Sequence, residues 1–145
     1  MTGEECDDQQ MFPFTHQLRV RYNECDPQGV VFNANFLLYY DIACTDAWRH
    51  ILGGAGYPDL EAKHAVDVVV AEANVKYLAP VRFDDPLDIT VESVDLGTTS
   101  MTWNLAILRE GQRVSEGKIR NVFISPETWK PVEMPDAVRV GLTSL

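Results

Sequence analysis

The stretch NFLLYYDIACTDAWRHIL, residues 35–52, decides the fold. Phe36, Leu37, Tyr40, Ile42, Ala43, Ala47, Trp48 and Ile51 recur at helical spacing, with Asp41, Asp46, Arg49 and His50 between them. The spacing predicts one long helix. Its apolar face is wide enough to require burial on most sides, and GGAGYP at 53–58 ends it with glycine and proline.

On either side of this helix the period changes from 3.6 to 2. In HQLRVRY, Leu18, Val20 and Tyr22 alternate with Gln17, Arg19 and Arg21, as in a half-buried strand. After the helix come AVDVVVAEANVKYL, PLDITVESVDL, TSMTWNLAILRE and RVSEGKIRNVFIS, all rich in β-branched residues. Turn signals separate them at APVRFDDP, LGTT and EGQ, and such short connections favour antiparallel hairpins. One strand, one long helix and then four strands give an α+β domain in which a curved antiparallel sheet wraps a single central helix. A lone sheet exposes edges, so association of subunits is expected.

The chain has 145 residues, which suits one domain. Residues 1–13 carry four acids and few apolar anchors and read as a disordered tail, leaving 14–145 as the folded unit. At 46% hydrophobic and 23% charged, the composition is globular. A formal net charge of −10 repels a phosphate backbone, so nucleic acid is not an expected partner. No apolar run reaches the about 18 residues of a membrane span, and the acidic opening MTGEECDDQQ is unlike a signal peptide; a cytoplasmic protein with no membrane partner is expected. Cys6, Cys25 and Cys44 have neither disulfide-framework nor metal-ligand spacing, which fits a reducing compartment, and no metal is expected.

Chemistry gathers just ahead of the helix, in YNECDPQGVVFNANFLLYYD, residues 22–41. Pro27 and Gly29 turn the backbone sharply and hold the Asp26 carboxylate on an irregular segment. The amides from Val31 to Asn35, at the start of the helix, lack intrahelical acceptors and carry partial positive charge suited to a developing oxyanion. The competing reading is that Asp26 only forms an Asx-turn with Gly29 downstream. Cys25 adjoins Asp26, but in an extended segment neighbouring side chains diverge, which makes it a spectator.

The run YNECDPQGVVFNANFLLYYDIA resembles the signature of the 4-hydroxybenzoyl-CoA thioesterase family of hotdog-fold acyl-CoA thioesterases, and VKYLAPVRFDDPLDI resembles its second recurrent segment; the likeness covers about residues 15–125. It implies a hotdog domain that hydrolyses a coenzyme A thioester to the free acid and coenzyme A, with no cofactor, coenzyme A being part of the substrate. By position, Asp26 matches the family's catalytic carboxylate and the backbone N–H of Asn33 the group that polarises the thioester carbonyl. Relatives often carry Tyr or His at that position, so the Asn33 side chain is a departure that bears on the acyl pocket. Asp26 then acts as nucleophile, through a mixed anhydride, or as general base toward water. The resemblance also implies active sites shared across a dimer, within a homodimer or homotetramer. A noncatalytic hotdog module that binds acyl groups or partners is the alternative.

A thioester is already activated, so a carboxylate held against it suffices without a Ser-His-Asp relay. None is apparent: there is no G-x-S-x-G, and His16, His50 and His64 are scattered. Gly29 and Val31 are assigned to substrate binding with the motif. Glu72 and Asn74 share one strand face, and Asn74 is the candidate for lining the acyl pocket; Asp41 and Asp46 read as solvent-facing. The turn DLGTTSMTW lacks the basic residues some relatives use for coenzyme A phosphates, leaving Arg82, Lys118 and Arg120, with Lys76 behind them. Overall acidity disfavours an acidic carrier protein and points to free coenzyme A thioesters.

Overall fold

The computed structural model describes residues 12–143. Most of the tail expected over 1–13, including Cys6, lies outside the described residues. The elements run β1 (Phe14–Arg19), a 3-10 turn (Tyr22–Glu24), α1 (Ala34–Leu52), α2 (Tyr57–His64), β2 (Asp67–Tyr77), β3 (Pro86–Leu96), β4 (Ser100–Arg109), β5 (Gln112–Ile124) and α3 (Asp136–Thr143). The five strands form one antiparallel sheet in the order β1-β3-β4-β5-β2. It packs on α1, giving the hotdog arrangement.

Helix α1 ends at Gly53, whose φ of 68° is left-handed and whose N–H bonds back to the Arg49 carbonyl. Phe36, Tyr39, Tyr40, Ala43, Cys44, Ala47 and Trp48 form its buried face. Trp48 meets Trp103 of β4 edge-on at 5.6 Å and Phe123 of β5 at 6.5 Å. Each such aromatic removes a large apolar area from water, about 150–250 Å², which makes this cluster the main anchor of helix to sheet. Irregularities at Val70/Glu72, Val91/Ser93 and Ile107/Leu108 bend the strands around the helix.

The structure corrects the sequence reading in several places. Enclosure of α1 is one-sided: Leu37 and Leu38 remain 42% and 46% exposed beside Asp41. Tyr22 does not continue the alternation of β1; the strand stops at Arg19 and Tyr22, in the 3-10 turn, is 80% exposed. Only β3-β4 and β4-β5 are hairpins. β2 pairs with β5 instead of β3, so residues 78–85 carry the chain from one edge of the curled sheet to its far side. The short helices α2 and α3 carry too few apolar repeats to register as helices in the sequence.

Candidate active site

The crossing segment 78–85 is what builds the site. It runs beside the motif loop, with the Val31 N–H bonded to the Val81 carbonyl at 2.7 Å and Val30 bridged to Arg82. Arg109, at the end of β4, holds the segment in place: its Nη1 donates to the Pro80 carbonyl at 2.7 Å and to Asp85 Oδ2 at 3.1 Å. Between the two stretches opens a cleft of about 450 Å³, lined by Asp26, Gln28, Val30, Val31, Asn33 and Phe36 on one side and by residues 77–81 on the other.

Asp26 is half-buried at its wall. Its N–H bonds to the Val30 carbonyl and its carbonyl accepts the Gly29 N–H, each at 2.9 Å, closing a tight loop in which Gly29 has φ 82°. The Gln28 N–H donates to Asp26 Oδ1 at 2.8 Å, so an Asx-turn is present. Oδ2 has no partner among the described residues. Among the residues lining the cleft Asp26 is the one carboxylate, and none is histidine, serine or cysteine.

Asn33 stands at the N-terminal end of α1, and its N–H has no acceptor among the described residues. Its carbonyl accepts from the Phe36 N–H at 3.2 Å and from the Tyr77 hydroxyl at 3.0 Å. Tyr77, from the last position of β2, also packs edge-on against Phe36 at 4.9 Å. It shapes the cleft wall, and although it falls within the second recurrent segment VKYLAPVRFDDPLDI, the sequence reading did not single it out.

Asp26, Gly29, Val31 and Asn33 are thus brought together, with Arg82 at the edge of the group. Asn74, Lys118 and Arg120 are not brought there within one chain. Gly117 faces Tyr40 of α1, and side chains alternate along β5, so Lys118 and Arg120 point to the sheet face turned away from the helix. Asn74 lies opposite Lys118, and both line a separate depression of about 380 Å³ with Lys76, Glu92 and Arg113. Arg120 pairs with Glu72 at 3.5 Å.

The sequence reading missed Glu24, two residues before Asp26, which is only 7% exposed. Burial on its own would raise its carboxyl; hydrogen bonds from the Arg21 amide, the Tyr39 hydroxyl and the Arg21 side chain, together with the Arg21 charge, outweigh that and hold it below its ordinary value. The one available signal was a second acid inside the motif, with an arginine three residues earlier. Among the described residues no group of three His, Cys, Asp or Glu side chains is gathered as a metal ion requires. No described helix is long and apolar enough to cross a membrane.

The thioesterase superfamily model matches residues 28–116, a span that begins two residues after Asp26. The acyl-CoA thioester hydrolase YbgC of Escherichia coli is 31% identical over 126 residues, covering 86% of this chain and 92% of that protein. The 1,4-dihydroxy-2-naphthoyl-CoA hydrolase of Synechococcus is 28% identical over 129 residues, 83% of this chain and 82% of its own. A solved thioesterase from Thermus thermophilus, complexed with coenzyme A and Zn, superposes with a TM-score of 0.77 at 31% identity, covering 91% of this chain and 98% of that one.

Proposed function

Because the chain belongs to the thioesterase superfamily, we propose that it hydrolyses an acyl-CoA thioester to the free acid and coenzyme A, with Asp26 as the reacting carboxylate and the Asn33 N–H as oxyanion donor. The observation that carries this reading is the pairing, at one cleft, of a carboxylate oxygen and a helix-start amide that both lack a partner among the described residues. As nucleophile, Asp26 adds to the carbonyl carbon, the C–S bond breaks and coenzyme A leaves as thiolate; water then hydrolyses the mixed anhydride. As general base, it takes a proton from the water that adds to the carbonyl carbon, and the thiolate leaves from the tetrahedral intermediate. In both routes the carbonyl oxygen becomes negative, and an amide aimed at it lowers the barrier.

A coenzyme A substrate is supported by the relatives and the solved neighbour, which carry that ligand class in their names. Assembly into a dimer or tetramer, and a cytoplasmic location, belong to the same proposal. The Asx-turn favours a second reading, in which Asp26 shapes the loop and the module binds acyl groups without turnover.

The test is Asp26→Asn, assayed by thiol release from a panel of coenzyme A thioesters running from short-chain to aromatic. Asparagine keeps an oxygen for the Gln28 N–H but not the charge, so turnover should fall by about 10² or more with KM and folding retained. An active Asp26→Asn enzyme would sink the catalytic assignment.

A further inference from the structure

We infer that Glu24 is a positioning residue: it ties the loop carrying Asp26 to the helix carrying Asn33 and so sets the distance between the carboxylate and the amide that act on the thioester. This rests on the reading of Asp26 and Asn33 given above.

Glu24 holds both ends of the loop at once. Its backbone carbonyl accepts the Phe32 N–H at 3.0 Å and the Asn35 side-chain amide at 2.9 Å. Those donors flank Asn33, so this carbonyl joins the Tyr77 hydroxyl in holding the start of α1. Its carboxylate reaches further along the same helix: Oε1 accepts the Tyr39 hydroxyl at 2.8 Å and the Arg21 N–H at 2.8 Å. Oε2 accepts Nε and Nη2 of Arg21 at 3.1 and 3.0 Å. Asp26 follows two residues later, on a loop that returns to Phe32 through the Asp26–Val30 bond.

An acid is a costly choice if the position only fills space. Removing a carboxylate from water is costly, and a buried ionic group is weak support for stability. What it supplies is direction. Four donors converge on the two oxygens, and an apolar side chain of similar volume offers none of those constraints. Reacting groups displaced by about 1 Å lose on the order of 10²-fold in rate, so a residue that fixes their separation affects turnover more than affinity.

The experiment compares wild type, Glu24→Gln, Tyr39→Phe and Asp26→Asn/Glu24→Gln, measuring kcat, KM and thermal midpoint with the thioester that wild type turns over best. Glu24→Gln should lower kcat about ten-fold or more with KM within about two-fold, and Tyr39→Phe should lower it less, in the same direction. With Asp26→Asn already in place, Glu24→Gln should change residual turnover by less than about three-fold, because little is left to position. A folded Glu24→Gln enzyme with wild-type kcat, beside an inactive Asp26→Asn, overturns the inference and leaves the Asp26 reading standing. Equal losses in both backgrounds also overturn it. If Glu24→Gln does not fold, Tyr39→Phe decides, since it keeps the Arg21 contacts, and full kcat there overturns the inference. Full activity in Asp26→Asn removes the reading on which it depends.

Discussion

The ring of Tyr40 of α1 lies against Gly117 of β5, so close that a methyl group on Gly117 falls 2.7 Å from Tyr40 Cε2. The Tyr40 hydroxyl then donates to Ser115 Oγ at 2.7 Å, and both residues are fully buried. The contact seats the middle of the helix on the sheet. Gly117→Ala should destabilise by about 1–3 kcal/mol through overpacking, whereas Tyr40→Phe, which keeps the ring and loses the hydrogen bond, should cost about 1 kcal/mol. Urea unfolding of the two variants checks the order; a neutral Gly117→Ala would show that the sheet yields at this point.

Acid sensitivity follows from Glu24. Its carboxyl is held below the ordinary 4.5 in the folded protein, so its contribution to stability is fully present above that value and is lost as pH falls through the lower, folded one. Glu24→Gln should therefore lower stability near neutrality and flatten its decline below about pH 4.5. Thermal midpoints of wild type and variant between about pH 3 and 7 should converge toward the acid end. Parallel curves would mean the carboxylate gains nothing from its partners.

Arg109 should behave as a clamp. It bonds to Pro80, within the cleft wall, and to Asp85, at the far end of the 78–85 segment, and Asp85 Oδ2 also accepts the Arg82 N–H at 2.8 Å. Because Arg109 is only 19% exposed, losing its guanidinium leaves Asp85 partly buried beside one remaining donor. Arg109→Ala should cost about 1–3 kcal/mol and reduce kcat/KM, and Arg109→Lys should recover only part, since a single ammonium replaces Nη1 but not Nη2, which donates to Gln112 Oε1 at 3.1 Å. Hydrogen exchange over 78–85 is the direct measurement: unchanged protection would refute the clamp.

How far the sequence foretold this arrangement depended on the range of the signal. Residues 35–52 announce α1 because a 19-residue helix carries its periodicity locally, and β3 falls at residues 86–96 because its alternation does the same. The pairing of β2 with β5 is a long-range choice made by curling of the sheet, so a short, turn-rich segment such as 78–85 was read as a hairpin. The family resemblance singled out the Asn33 N–H from the amides of 31–35, and Asp26 was legible as a candidate through the turn residues. Glu24, Tyr77 and Arg109 were not, since each acts through a hydrogen bond to a residue distant in sequence or to a backbone atom.

The open edge of β2 should be covered by a second copy. Among the described residues no strand pairs with its free side, and Val70, 60% exposed, borders an apolar groove with Leu37 and Leu38 of α1. An eleven-residue edge strand beside exposed leucines is an adhesive surface that a monomer must either cover or block. Light scattering at micromolar concentration should give a dimer or tetramer, and Val70→Lys should shift it toward monomer. A monomeric wild type would count strongly against a site shared between subunits.

The basic residues separate by where they stand. Arg82 borders the cleft of its own chain, whereas Lys118 and Arg120 lie on the far face of the sheet, reachable from an Asp26 site only if another subunit supplies them. If Arg82 meets a coenzyme A phosphate, Arg82→Ala should raise KM for the coenzyme A thioester about five-fold or more while leaving KM for the matching pantetheine thioester, which lacks the nucleotide, nearly unchanged. Lys118→Ala and Arg120→Ala should show the same split only in an assembled protein. Measuring both substrates with Val70→Lys added makes the comparison decisive: the Arg82 effect should survive dissociation, and the Lys118 and Arg120 effects should vanish with it. Arg120 must also leave Glu72 to take a phosphate, and an exposed pair of this kind holds it by only about 0.2–1 kcal/mol, so that pairing is no barrier. A KM that rises equally for both thioesters would assign these cations to cleft structure and leave the phosphates without a ligand among them.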